Sequence, residues 1–477
     1  VALAAALVVW WWFSRRKTAV RQRSRARRNA RLLGVGARTT GEFAIHRARR
    51  VFAGAARREE LDRAFEIRTA EQVAETLGHM KGALMKLGQM ASYLDQGMPE
   101  HVRAALADLQ QNAPPMSSEL AADMIEAELG LPPDEMFLEW DPIPIASASI
   151  GQVHRAITRD GLAVAVKVQY PGVDRAVEAD LGNVGLLFAG MSQLFPGLEH
   201  GPLVAELRER LREELDYRNE ADNQRMFAEF YRGHPFIHVP DVVDAHCSRR
   251  VLTTELADGA RWDEMLRWSQ EERNLAAETI YRFAFGSLYR LEAFNGDPHP
   301  GNYLFHTGGR VTFLDFGLTK RFTSEDLLAF EAMTKTMVLE RDMAAFRRTI
   351  EDVGFLRGDT PFTDAEVGDY FGHFYEFVMD DAVSTITPEY ASENVRRFFD
   401  TSGPYGEIMK AANVPASMVI IQRINLGLYA LFGEMGATAN WRRIAEELWP
   451  FVASTPSTPM GEAIADWQAR SREAAIA

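Results

Sequence analysis

The chain has one cysteine, Cys247, in 477 residues. That excludes a disulfide framework and any thiolate-based metal centre, and it fits a reducing compartment. Long apolar runs are scarce too. Val1 to Phe13 is unbroken apolar sequence, but it falls short of the roughly 20 residues that cross a bilayer core. Its basic flank, Ser14-Arg15-Arg16-Lys17, follows the apolar run, whereas a secretory signal places it before. Further on, Met418 to Phe432 is apolar but interrupted by Gln422, Arg423 and Asn425, so it is expected to pack rather than span. No internal repeat is present, and no low-complexity tract beyond an Arg-rich start. A composition of 47% hydrophobic and 25% charged residues is that of a globular protein with real cores, and the length exceeds one ordinary domain.

Charge is unevenly spread. Residues 1–60 hold 15 Lys and Arg against 3 Asp and Glu, which makes that segment +12 and the remainder −26 of a net −14. A basic start on an acidic body suggests an anionic partner for the start only. The cluster Trp10-Trp11-Trp12-Phe13 beside Arg15 and Arg16 is what a membrane interface favours. The expectation is therefore an anionic membrane surface and no nucleic acid, with the chain cytoplasmic and peripheral, or anchored through its N-terminus.

The organising stretch is Gly296-Asp297-Pro298-His299-Pro300-Gly301-Asn302, followed by Asp315-Phe316-Gly317. In protein-kinase phosphoryl transfer one Asp positions the attacking oxygen, while an Asn and the DFG Asp hold Mg²⁺ against the phosphates. Oxygen ligands suit a hard cation with tight octahedral geometry. Between the motifs, Tyr303-Leu304-Phe305 and Val311-Thr312-Phe313-Leu314 flank Gly308-Gly309, which reads as a hairpin. It would bring Asn302 and Asp315 together, with Asp297 as candidate base.

Upstream, Pro142 opens a small-residue loop, Ala146-Ser147-Ala148-Ser149, before a strand from Val153. Ala163-Val164-Ala165-Val166-Lys167-Val168 then alternates as the strand that carries a phosphate-pairing Lys in kinases. The loop has Ala and Ser where glycines would let a backbone close on phosphates. The nucleotide is expected under Ala146, Ser147, Ala148, Ser149 and Val153, with ATP or ADP and Mg²⁺ as cofactors. Leu203 to Tyr231 reads as a long helix, on which Asp216 and Glu220 share a face and Glu214 lies roughly 200° from Asp216. Glu220 is the expected partner of Lys167. Val242–Ala245 and Arg250–Glu255 read as strands, and Glu255 to Ala257 as the connector whose backbone meets an adenine edge. Glu271 to Phe294 reads as a buried helix, and Ser454 to Ala477 as a frayed polar tail.

From Arg57 to Gln111 the pattern is helical, with Met80, Leu84, Leu87, Ala91 and Leu94 on one face. Lys86 and Gln89 form a stripe well off that face, which solvation alone explains. A further helix runs to Leu129 from a cap at Ser117 or Ser118. After Gly317 only Leu318 to Phe322 precedes a helix from Glu325 to Glu340, capped by Thr323 or Ser324. The long activation segment and Ala-Pro-Glu anchor of protein kinases are missing.

Over about residues 60 to 450 the chain resembles the UbiB/ADCK family (aarF-domain-containing kinases), atypical kinase-like proteins linked to ubiquinone and other isoprenoid-lipid metabolism. The carrying motifs are Lys86-Leu87-Gly88-Gln89, the loop Ala146–Ser149, Lys167, Glu214-Leu215-Asp216 with Glu220, Gly296–Asn302 and Asp315-Phe316-Gly317. The loop reads Ala-Ser-Ala-Ser rather than the commoner Ala-Ala-Ala-Ser. The resemblance implies an α+β, predominantly helical, bilobal protein-kinase-like fold with an N-terminal helical extension. In the family that extension folds over the active site, which gives Lys86 and Gln89 a regulatory role with Glu214 and Asp216 as partners. The implied division is 1–59 membrane-proximal, 60–139 extension, 140–257 N-lobe, 258–460 C-lobe and 461–477 tail. The expected activity is a Mg-ATP-dependent ATPase or phosphotransferase supporting quinone-lipid synthesis, with a small-molecule or lipid substrate and quinone-biosynthesis proteins as partners. The alternatives are a protein Ser/Thr kinase and a non-catalytic, lipid-binding pseudokinase scaffold.

Overall fold

The computed structural model describes residues 118–476, apart from Ser149, Gly172 and the stretches 174–214, 400–402 and 414–415. Lys86, Gln89 and Glu214, and the expected pairing of Lys86 with Glu214 or Asp216, therefore lie outside the described residues.

A helix, α1 (Ser118–Leu129), leads into an antiparallel sheet of β1 (Phe137–Trp140), β2 (Ala146–Ser147), β3 (Gly151–Thr158), β4 (Ala163–Gln169) and β6 (Val251–Glu255). The order is β1-β3-β4-β6, and β2 also pairs with β3; β5 (Ile237–His238) pairs outside this sheet, parallel to the strand Val311–Phe313. The β4 strand shows why its lysine faces outward from the core. Val164, Val166 and Val168 are fully buried, packed with Ala121, Met124 and Ile125 of α1. A strand alternates faces every residue, so Lys167 must point to the other side. Both α1 and β1 belong to this sheet's core, so the expected boundary at residue 140 cuts through a packed unit.

The second core is helical. Its axis is α3 (Gln270–Arg290), buried on nearly every side through Ala276, Ala277, Ile280, Tyr281, Phe283, Ala284 and Leu288. The expected helix from Glu271 to Phe294 is thus correct in burial but too long. It ends at Arg290, and Ala293–Asn295 forms a strand, β7, which pairs antiparallel with β10 (Thr319–Arg321). Around α3 lie α4 (Ser324–Thr334), α5 (Met343–Val353), α6 (Pro388–Phe399), α7 (Ala416–Met435) and α8 (Trp441–Leu448). Thr323 caps α4 in a capping box with Asp326, as the sequence suggests. Among the described residues no helix is long and apolar enough to cross a membrane. In α7, Ile424, Leu428, Phe432 and Met435 are buried in the core instead.

Three further expectations need correction. The region Val242–Ala245 is no strand: Val242 makes one bridge to Thr254, and Asp244–His246 is a 3₁₀ turn. The C-terminal stretch is not a frayed tail, because Pro459–Ile476 is a helix, α9. Met460 and Ile464 are buried, and Trp467 meets His234 with ring centroids 4.7 Å apart. The spacing of these three, four and then three residues, puts them on one narrow stripe, which the surrounding polar residues mask. Lastly, the expected helix from Leu203 to Tyr231 is not continuous: α2 (Tyr217–Phe230) starts after Leu215 with Asp216 as its N-cap, and 203–214 lie outside the described residues.

Candidate active site

Four elements converge on the motif residues. Lys167 of β4 reaches across to α2, where its Nζ lies 2.7 Å from Glu220 Oε1 and 2.9 Å from Oε2. The same ammonium is 3.4 Å from Asp315 Oδ2 and sits 5.1 Å over the Tyr217 ring. The side chains of Lys167, Glu220 and Asp315 are 16%, 6% and 33% exposed, so the group opens to solvent on the Asp315 side. Burial alone would lower the Lys167 pKa. Asp315 and Glu220 outweigh it and hold the ammonium well above its ordinary value.

Asp216 and Glu220 do not share a face of one helix, because Asp216 lies outside α2 as its N-cap. Asp216 has extended backbone (φ −123°, ψ 99°), accepts the Arg218 N–H at 3.1 Å and lies 3.9 Å from Arg249. The expected shared face assumed helical geometry at both positions. An Asp at a helix start instead caps the orphan N–H groups.

The hairpin linking the two motifs is present. The strands β8 (Tyr303–Phe305) and β9 (Val311–Phe313) pair with Tyr303 opposite Phe313, and Gly308 and Gly309 supply positive φ in the turn. Leu314 N–H donates to Asn302 O at 3.0 Å, which holds Asn302 beside the residue preceding Asp315. The Asn302 amide donates to Asp297 O at 3.1 Å and to Asp297 Oδ2 at 3.2 Å. Lys167 thus meets Glu220 and Asp315, Asn302 meets Asp297, and the Leu314 backbone ties the two groups together.

Three residues of this constellation escape the sequence reading. Asn295 accepts from Asp297 N and donates to Asp315 O at 2.8 Å, clamping both loops. Asn223 donates to Phe316 O at 3.2 Å; it lies three residues after Glu220, hence on the same face of α2. Tyr217 provides the ring beneath Lys167. Phe316 is fully buried, with centroids 4.9 Å from Phe227 of α2 and 6.5 Å from Phe283 of α3. The residues after Gly317 close back at once: Leu318 O accepts from Gly296 N at 2.6 Å, and β10 pairs with β7.

The small-residue loop is a tight hairpin. Ala146 and Ser147 pair with Val153 and Gln152, Ala148 N–H donates to Gly151 O at 2.9 Å, and Gly151 N–H returns to Ala148 O at 3.5 Å. Val153 also lies opposite Lys167 in the β3–β4 register. Ser149 is outside the described residues. At the connector, Glu255 N–H is engaged by Asp241 O and Leu256 N–H by Ala163 O. The Ala257 N–H carries no hydrogen bond among the described residues.

The chemistry of the donor set fits Mg²⁺ held mostly by phosphates. Among the described residues no group of three or more His, Cys, Asp or Glu could cage a metal. Mg²⁺ is commonly held by one or two protein oxygens plus substrate phosphates and water. Asp315 and Asn302 carry side-chain oxygens of that kind.

The chain is similar to known kinase-like proteins. Residues 108–349 match the ABC1 atypical kinase-like domain. A Mycobacterium tuberculosis protein, Rv3197, solved as its erythromycin complex, aligns over 82% of this chain and 98% of its own at 30% identity, with a TM-score of 0.61. Atypical kinase COQ8B, mitochondrial, from Rattus norvegicus is 32% identical over 302 residues, 62% of this chain and 57% of its own length. Atypical kinase COQ8, mitochondrial, from Saccharomyces cerevisiae is 26% identical over 388 residues, 80% of this chain and 76% of its own. The chain thus spans little more than half the length of the rat relative. With a domain match across half of the sequence and a kinase-like fold shared with a solved relative, the chain belongs to the ABC1 atypical kinase-like family, the UbiB/ADCK proteins.

Proposed function

We propose that the chain is a Mg-nucleotide-dependent ATPase or small-molecule phosphotransferase that supports isoprenoid-quinone lipid synthesis at a membrane. The observation that carries this reading is the Lys167 ammonium held between Glu220 and Asp315. A cation so fixed is aimed before any phosphate arrives, so little reorganisation remains when phosphate charge enters. Lys167 would donate to phosphate oxygens, with Glu220 fixing its position. Asn302 and Asp315 would hold Mg²⁺, which when bound neutralises charge on the transferring phosphoryl group. Asp297, steadied by Asn302, would orient the attacking water or hydroxyl and accept its proton. The Ala257 amide fits an adenine edge. The hairpin at Ala146–Ser147 would roof the nucleotide through side chains and strand edge, because the N–H groups of Ala148 and Gly151 each donate to the other's carbonyl oxygen.

The quinone assignment draws on the COQ8 relatives, and the membrane on the sequence of residues 1–31. Each Lys or Arg near an anionic surface contributes about 1 kcal/mol, and interfacial Trp adds to it. ATP turnover with and without anionic liposomes and a quinone precursor tests the reading. Turnover should rise with both, and flotation with the liposomes should weaken as salt rises. Turnover indifferent to both, with flotation unchanged after deletion of residues 1–31, would remove the membrane and quinone assignment.

A protein-kinase reading is disfavoured by the segment after Gly317. Its few residues pair back onto β7 and enter α4 through the Thr323 cap, which leaves no stretch there to seat an extended peptide. No transfer of labelled phosphate to an unrelated protein is therefore expected from the wild type under conditions that support ATP turnover. Robust labelling would restore the alternative.

A further inference from the structure

Away from the motif residues, beyond the C-terminal end of α2, a cleft of about 130 Å³ opens between α3 and α9. Tyr231, His234, Arg282, Arg290, Glu447 and Gln468 are among its lining. Two guanidiniums, Arg282 and Arg290, meet two carboxylates, Glu447 in the lining and Glu278 behind Arg282. Arg282 is fully committed, with Nε 2.8 Å from Glu278 Oε1 and Nη1 2.9 Å from Glu447 Oε2. Arg290 makes no ion pair among the described residues. Its contact is neutral: with the Gln468 amide oxygen turned inward, that oxygen accepts from Arg290 Nη2 at 3.1 Å and also from Nη1, so an incoming oxyanion would displace it. Burial is the largest effect on the Arg290 pKa and lowers it; Arg282 and Arg472 lower it as well, while Tyr231 and Glu447 oppose them.

The histidine adds a donor. His234 Nδ1 lies 3.2 Å from Phe236 N and 2.9 Å from Ile237 N and accepts from both backbone groups. The proton of the neutral ring therefore sits on Nε2. Burial first, then Arg290 and Arg282, push the His234 pKa down to about 3, which keeps the ring neutral and that N–H in place. The cleft thus presents a guanidinium, an imidazole N–H and an amide that can turn its NH₂ inward.

We propose that this cleft is an oxyanion site, taking a carboxylate or a phosphate monoester on Arg290 and His234 Nε2–H, with Gln468 completing the contact. Planar bidentate pairing with an oxyanion is what an arginine fork matches best. The site is separate from the proposed nucleotide site, and its test does not depend on that reading.

The test is titration calorimetry of the full chain with inorganic phosphate and, separately, with acetate, at ionic strength held constant with sodium chloride. The wild type should bind at least one of them saturably. Arg290→Gln should weaken that binding by about tenfold or more, the scale of a lost charge-assisted pair. Gln468→Glu places a carboxylate beside Arg290 and should also remove the binding, while its melting temperature stays level or rises. The Gln468→Glu result decides should Arg290→Gln fail to fold. Preference for phosphate assigns the monoester class, and equal or better binding of acetate assigns carboxylates. No saturable binding by the wild type, or binding unchanged in a folded variant, overturns the proposal.

Discussion

Asp315→Asn is expected to lower Mg²⁺-dependent ATP turnover by at least about 100-fold, the scale on which a single electrostatic contact to a transition state acts. The substitution keeps the shape of the side chain. Its oxygen can still accept the Gly317 N–H, which Asp315 Oδ1 holds at 2.9 Å, and the backbone carbonyl still takes the Asn295 amide. The loop therefore stays folded, and only the negative charge is lost. That charge faces Lys167 at 3.4 Å and is the anionic half of the proposed metal pair. Thermal-shift titration separates binding from turnover. A ligand at 100 times its Kd stabilises by about 2.7 kcal/mol, so Mg-ADP should raise the wild-type midpoint more than ADP with chelator. In Asp315→Asn that difference should vanish. Equal Mg²⁺-dependent stabilisation of both proteins would sink the metal assignment.

The residues that chemistry places far apart in sequence were the most legible. Lys167, Asp297, Asn302 and Asp315 sit at spacings that phosphoryl transfer requires, and the Gly308-Gly309 turn between short alternating runs announces its hairpin. Glu220 was legible by need: a strand lysine turned from its own core must find a carboxylate. What stayed hidden depends on competition between local options. Asp216 fits a helix interior by spacing, but an Asp side chain bonds nearby backbone N–H groups and so prefers the cap. The three-residue strands β7 and β10 are too short for any periodicity, and they form because the chain after Gly317 has no slack to go elsewhere. The helix α9 exposes so many polar residues that its stripe of Met460, Ile464 and Trp467 reads as chance. The ion network of Glu278, Arg282 and Glu447 was hidden for the opposite reason. Two charges on an apolar helix look like surface until a third residue, more than 160 positions away, pairs with them.

Glu220→Leu is expected to cost about 3 kcal/mol of stability or more, and adding Lys167→Met should recover most of it. The pair lies in a nearly closed space, with Glu220 6% and Lys167 16% exposed. Removing one partner of a buried pair leaves an uncompensated charge and typically costs about 3–5 kcal/mol, whereas replacing both with apolar residues is often neutral. Asp315 remains near Lys167 in the single mutant, which places the loss at the lower end. The sign with pH follows from the raised Lys167 pKa. A lysine raised above its unfolded value of about 10.4 contributes in full below that value, and its contribution fades as pH climbs through the folded value. The pair is thus fully in force at neutral pH, and only above about pH 10 should the wild type lose stability relative to the double mutant, which has no lysine to titrate there. Urea denaturation followed by tryptophan fluorescence gives the stabilities, and ATP turnover gives the second readout. Both variants should lose turnover, since neither retains the fixed ammonium or its holder, while only the single mutant should lose stability. A double mutant no more stable than Glu220→Leu would show that the two side chains do not act as a buried pair. A double mutant that turns over ATP like the wild type would show that the fixed ammonium is not what the site uses.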